Sequence, residues 1–297
     1  MKKTLQAWMM VAGLALAGTA RADDAVTGRV AQAAGPLKVL AIGNSFSKNA
    51  TRQLPGLAKA AGKNLKVVNA SIGGCDFEKH MNLADANDRD PANPAGKPYG
   101  GKSLREMLTT DTWDVVTLQQ ASPKSFKPET YHPHADRLIA FIRTNAPQAE
   151  IVVHQTWAYR DDHPFWGRKD LNTDIMYAQL RAAYDGLARD AGLRLIPSGD
   201  AMEAARRDPD WGPYLAGTPP APRPDKSLHA PDSFHANIKG EYLQGCVWFE
   251  FLFRESVVGN SFCPPGITQP EAAILQRIAH RVVSEGRRPE PISLSPR

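Results

Sequence analysis

Cysteine is scarce in this 297-residue chain: only Cys75, Cys246 and Cys263 occur, none in Cys-x-x-Cys spacing, which argues against a structural zinc site. Glycine and proline, at 23 and 24 residues, fall short of a collagen-like or low-complexity chain. No apolar run reaches the roughly 20 residues that cross a bilayer, which excludes a multi-span membrane protein. No internal repeat recurs, and nothing marks a second domain. The basic excess is thin as well. The formal charge is +5, but Lys2, Lys3 and Arg21 lie in a segment expected to be removed, leaving +2. So small a surplus gives no electrostatic case for nucleic acid, which requires clustered Lys and Arg to displace counterions.

What is present begins with a leader. Residues 1–22 combine a positive start at Lys2 and Lys3, an apolar stretch from Ala7 to Gly18, and the small-x-small sequence Ala20-Arg21-Ala22. That is the pattern of a secretory signal cleaved after Ala22, and it implies a periplasmic or secreted protein. The stretch is too short to span a bilayer, so no stable membrane insertion is expected, and no cysteine directly follows it to carry a lipid anchor. In an oxidising compartment an odd number of thiols allows one disulfide and one free cysteine. Cys246 and Cys263 are the nearer pair in sequence and the expected bridge; three small buried apolar residues are the alternative reading.

Beyond the leader, strands and helices alternate. Short apolar runs at 38–42, 65–72, 114–118, 151–153 and 193–196 read as five strands. A helix interrupted by Pro55 is expected over 46–61 and an amphipathic one over 172–191. A helix apolar almost all round is expected over 242–253, and a last one over 272–283. Alternation of this kind implies parallel strands covered by helices on both faces: an α/β protein, three-layer α/β/α, with a doubly wound parallel sheet. Two stretches, 83–101 and 216–231, read as long irregular loops.

Ligands of an open parallel sheet bind beyond the carboxyl ends of its strands, so the residues delivered there carry the chemistry. The first strand delivers Gly43-Asn44-Ser45-Phe46-Ser47 and the second Gly73-Gly74-Cys75-Asp76. The third delivers Gln119-Gln120-Ala121-Ser122 and the fourth His154-Gln155-Thr156-Trp157; Asp232-Ser233-Phe234-His235 precedes the apolar helix. Acyl transfer by serine needs a hydroxyl at a sharp turn, an imidazole to take its proton, and a carboxylate to orient that imidazole. Ser45, His235 and Asp232 have the chemistry for those roles, and Asp232 and His235 can meet across one tight loop. Gly74 offers an unobstructed N–H to a developing oxyanion, and a glutamine amide from the third strand end is the next candidate donor. Asn44, Gln119, His154, Gln155 and Trp157 are candidate pocket residues; an indole there is consistent with a carbohydrate ester. His80, His132, His134, His163, His229 and His280 read as surface or loop residues. Asp85, Asp88 and Asp90 lack the spacing of a calcium loop and read as solvated.

In this order, an early Gly-x-Ser, a Gly after the second strand, a polar residue after the third and a late Asp-x-x-His resemble the SGNH/GDSL hydrolase superfamily, in a bacterial branch whose first block reads Gly-Asn-Ser-Phe-Ser. The resemblance implies a flavodoxin-like SGNH fold over 38–287, between a flexible segment at 23–37 and a tail at 288–297. It implies Ser45, Asp232 and His235 as catalytic residues, without cofactor or metal. The oxyanion donors would be Ser45, Gly74 (Gly73 the alternate) and Gln120 (Gln119 the alternate). Two departures stand out. Asn44 replaces the usual Asp of the first block, and glutamine replaces the asparagine of the third. The Gly-x-Ser-x-Gly elbow of α/β-hydrolases fits less well, because Ser47 occupies its last glycine. The expectation is an exported esterase for acyl, including acetyl, esters of small molecules or carbohydrate. A non-catalytic carbohydrate-binding protein or an acyltransferase on the same residues are the alternatives.

Overall fold

A computed structural model describes residues 35–167, 171–212 and 226–284, all within a compact unit that begins at Gly35. The unit before it, Met1–Ala34, lies outside the described residues, as do the expected C-terminal tail and most of the 216–231 loop. The elements run β1 (Leu37–Gly43), α1 (Ser45–Thr51), α2 (Leu54–Ala60), β2 (Leu65–Ser71), α3 (Phe77–Arg89), α4 (Leu104–Thr109) and β3 (Val115–Leu118). They continue with α5 (His134–Asn145), β4 (Glu150–His154), α6 (Thr173–Ala191), β5 (Arg194–Ile196), α7 (Ser198–Arg207), α8 (Ile238–Phe253) and α9 (Gln269–Ser284).

All five strands are parallel, in the order β2-β1-β3-β4-β5. The central strands read as unbroken apolar runs because both of their faces are covered: Val39, Leu40, Ala41 and Ile42 are at most 1% exposed. Helices α1, α2, α8 and α9 pack together in one layer, and α3, α4 and α5 in the other. Tyr131 ties α6 to the second layer, its ring edge-on to Phe77 of α3 and to Tyr184 of α6, both at 5.6 Å. Helix α8 is buried along most of its length, which accounts for its lack of a polar face. The strand order reverses between β1 and β3, and that switch point is where a ligand crevice opens in such sheets.

The helix expected over 46–61 is two helices, since Pro55 starts α2 in its first turn, where its missing N–H costs nothing. The 83–101 stretch is not all loop: 83–89 completes α3, with Asp85 ion-paired to Arg137 and Asp88 to Arg105 at 2.8 Å each. The expected disulfide is absent. Cys246 is buried within α8, and Cys263 donates to the Ile267 carbonyl at 3.2 Å.

Candidate active site

Ser45 opens α1 directly beyond β1. Gly43 precedes it because a Cβ there would overlap Ser47 Oγ and lie only 2.6 Å from Gln119 Cγ. Asn44 caps α1: its Oδ1 accepts the Phe46 N–H at 3.0 Å and the Gln119 amide at 2.8 Å, while its Nδ2 donates to the Cys75 carbonyl at 3.0 Å. The asparagine thus binds the ends of β1, β2 and β3 together. An aspartate there would have no hydrogen to give the Cys75 carbonyl.

The second half of the site comes from the loop ahead of α8. Asp232 Oδ1 accepts the backbone N–H groups of Phe234 (3.1 Å) and His235 (3.0 Å), which folds the loop onto the carboxylate. Ser233 turns that loop with φ of 64°, a left-handed conformation unusual outside glycine. Asp232 Oδ2 lies 2.7 Å from His235 Nδ1, and His235 Nε2 lies 2.7 Å from Ser45 Oγ. A carboxylate only accepts, so Nδ1 carries the hydrogen toward Asp232, and Nε2 is placed to accept from the serine hydroxyl. Partial burial works to raise the Asp232 pKa, but the bonds from His235 and the two backbone N–H groups outweigh it and hold the carboxyl below its ordinary range. This chain of contacts can deprotonate a serine as it attacks a carbonyl.

Gly74, at φ 62°, is exposed in the loop after β2. Its N–H and that of Ser45 have no acceptor among the described residues, so both are available to a developing oxyanion. The glutamines are not. Gln120 is fully buried, gives its amide to the carbonyl and hydroxyl of Thr130 at 3.0 and 3.2 Å, and accepts the Phe77 and Ala121 N–H groups. Its side chain therefore stitches β3 to α3 instead of facing Ser45, which corrects the oxyanion role expected of it. Gln119, the alternate, gives its amide to Asn44 and accepts from Ser47 Oγ at 2.7 Å and His154 Nδ1 at 2.9 Å.

The candidate pocket residues are buried too. Asn44 and Gln119 are 2% and 1% exposed, and His154, Gln155 and Trp157 are 0%. They support the site from beneath instead of lining it. His154 is held neutral by burial, its pKa pushed down to about 3. Gln155 bonds Asp200 through both its amide nitrogen and its carbonyl oxygen. Trp157 stacks under Phe46 at 4.3 Å and donates to the Phe234 carbonyl at 2.9 Å, steadying the loop that carries His235.

Two histidines read from sequence as surface or loop residues are structural. His80 is 0% exposed on α3: its Nε2–H donates to the Gly43 carbonyl at 3.1 Å and its Nδ1 accepts from Tyr99 at 2.7 Å. His229 donates from Nε2 to the Ala158 carbonyl at 3.0 Å, and burial pushes its pKa down to about 4. Sequence reasoning also passes over an aromatic wall beside His235. Phe234 lies 4.2 Å from the imidazole and 5.7 Å from Tyr159, and His163, Phe165 and Trp166 cluster around Tyr159. The signal available for it is the aromatic density of 157–166.

The model of a family described as a domain of unknown function, DUF4886, matches residues 38–282. The chain belongs to the DUF4886 family. A crystal structure of a DUF4886 protein from Bacteroides uniformis is 28% identical to it, with a TM-score of 0.73 over 87% of this chain and 98% of that one. A proposed SGNH hydrolase from Slackia heliotrinireducens is 20% identical, with a TM-score of 0.52 over 73% of this chain and 100% of that one. That likeness shows that this DUF4886 chain has the fold of the SGNH hydrolases. No curated protein is similar enough to count as a match.

Proposed function

We propose that the protein is an exported serine esterase that hydrolyses short acyl esters through Ser45, His235 and Asp232. One observation carries the reading: a serine, an imidazole and a carboxylate joined by two contacts of 2.7 Å each at the switch point of an SGNH-type sheet. In this mechanism Ser45 Oγ attacks the ester carbonyl while its proton passes to His235 Nε2. Asp232 stabilises the imidazolium, and the N–H groups of Ser45 and Gly74 hold the tetrahedral oxyanion. Collapse expels the alcohol, which takes its proton from His235. Water then attacks the acyl-serine by the same route in reverse. Positioned proton transfer contributes about 10²–10⁴-fold, and each oxyanion donor about 2.7–4 kcal/mol of barrier.

Export follows from the leader at 1–22, and among the described residues no helix is long and apolar enough to cross a membrane. Trp157 is buried, so a sugar on the alcohol side would instead meet the half-buried rings of Phe165 and Trp166. The test is hydrolysis of a 4-nitrophenyl acetate series by the purified protein and by Ser45→Ala, with fluorophosphonate labelling of both. Turnover and labelling are expected only with Ser45 present. Equal rates from the two proteins would end the reading, and glycan binding without turnover or labelling would replace it with a binding function.

A further inference from the structure

With Gln119 and Gln120 engaged elsewhere, two backbone N–H groups remain for the oxyanion, and the chain beyond β3 brings a serine hydroxyl to the same sheet edge. Ile42 of β1 is level with Leu118 of β3, so the segments leaving these adjacent strands carry Ser45 and Ser122 out over the same edge, three and four residues past the last paired position. Ser122 opens a short 3₁₀ turn, Ser122–Lys124, and is 6% exposed. Lys124 in that turn forms an ion pair of 2.6 Å with Asp76, which joins it to the loop that carries Gly74.

Ser122 Oγ lies 3.0 Å from the hydroxyl of Tyr159, itself 6% exposed. Two hydroxyls hold two hydrogens, and the bond between them uses one. No second acceptor for either hydroxyl occurs among the described residues. A phenol is the stronger donor and the weaker acceptor of such a pair, so Tyr159 gives its hydrogen to Ser122 Oγ and the spare hydrogen belongs to the serine. A nearly dry O–H with no acceptor of its own is a cost unless an acceptor arrives with the substrate. Tyr159 packs on Phe234, which packs on His235, so the pair also borders the second half of the site.

We infer that the Ser122 hydroxyl is a third donor to the oxyanion, set in place by Tyr159. The inference rests on the esterase reading. Ser122 touches the reacting oxygen; Tyr159 is a positioning residue that polarises the serine by donating to it.

The experiment is steady-state hydrolysis of 4-nitrophenyl acetate by wild type, Ser122→Ala and Tyr159→Phe, with urea unfolding of each. Ser122→Ala is expected to lower kcat about 10²–10³-fold with KM changed less than about threefold, because the bond forms only in the transition state. Tyr159→Phe leaves the serine hydroxyl in place and is expected to lower kcat about tenfold, again with little change in KM. Wild-type kcat in Ser122→Ala would overturn the inference and leave the esterase reading intact. A larger loss in Tyr159→Phe than in Ser122→Ala would also overturn it, by giving the spare hydrogen to the phenol. If Ser122→Ala fails to fold, the KM-against-kcat split in Tyr159→Phe still decides, since a rise in KM with kcat unchanged contradicts a transition-state contact. Absence of turnover in wild type would instead remove the esterase reading itself.

Discussion

The buried imidazole of His80 makes the stability of this protein sensitive to acid in a way that one double substitution isolates. Burial pushes its pKa from 6.5 down to about 4. The unfolded chain then binds more protons than the folded one between those values, so stability present above pH 6.5 is lost as pH falls toward 4. Each unit corresponds to about 1.4 kcal/mol, giving a loss of about 2 kcal/mol by pH 5 and about 3 kcal/mol by pH 4 from this ring alone. His80→Leu combined with Tyr99→Phe removes the titrating ring without stranding the tyrosine hydroxyl. At pH 8 this variant is expected to be less stable by about 1 kcal/mol or somewhat more, because the Gly43 carbonyl loses the His80 donor and keeps only the Ile72 N–H. On acidification it loses less than wild type. His154, buried, and His229, half-buried, both with lowered pKa, lose stability in both proteins and cancel in the comparison. Urea unfolding followed by tryptophan fluorescence at pH 8, 6, 5 and 4.5 measures the difference. Relative to wild type the variant is expected to gain about 2 kcal/mol between pH 8 and pH 5, which cancels its deficit and makes it the more stable protein by up to about 1 kcal/mol at pH 5. Parallel curves over that range would refute a neutral, water-excluded His80.

Gly43→Ala places a methyl group against Ser47 Oγ and Gln119. It is expected to cost about 1–3 kcal/mol in urea unfolding and about 10²-fold in esterase turnover through displacement of Ser45; an unchanged enzyme would contradict the packing described for the elbow. Asp232→Asn is expected to fold normally and lose about 10²–10⁴-fold in kcat, since an amide can hold the imidazole in the wrong tautomer. Its low pKa keeps the carboxylate ionised down to below the ordinary carboxylate range, so loss of wild-type turnover above about pH 4 should not follow Asp232 protonation, which a comparison of the pH profiles checks.

The sheet was legible because its strands are short apolar runs punctuated by polar or glycine-rich ends, and all five appear within a residue or two of where the hydrophobic pattern puts them. Helix α3 was not, because its buried face mixes Phe77, Met81 and Ala84 with His80 and Asn87, and a period carried partly by polar residues does not register as amphipathic. Helix α7 hides for the same reason, with Asp200 and Glu203 on the inside. The meeting of Ser45 with Asp232-x-x-His235 could be anticipated because it depends on strand order and one tight loop. The direction of the glutamines could not. Gln119 and Gln120 carry the same amide at neighbouring positions, and which way each reaches depends on Thr130, Asn44 and Ser47, residues distant in sequence from one or both.

The turned-in amides carry a consequence for recognition. Asn44, Gln119, Ser47, His154 and Ser198 form one buried chain of hydrogen bonds beneath the elbow, from the Cys75 carbonyl to α7. Burying that many polar groups is tolerable only when each is satisfied, and a satisfied network is stiff. Those side chains fix the backbone around Ser45 and have no unpartnered polar atom left for a ligand. On the esterase reading, discrimination between esters then falls to groups outside that network: the 3₁₀ turn at Ser122–Lys124, Tyr159, and the half-buried rings of Phe165, Trp166 and Phe234. Rigid placement of Ser45 and choice of ester are, on that reading, thereby separated onto different residues, so substitutions at the half-buried Phe165 and Trp166 are expected to change the preferred ester without moving Ser45.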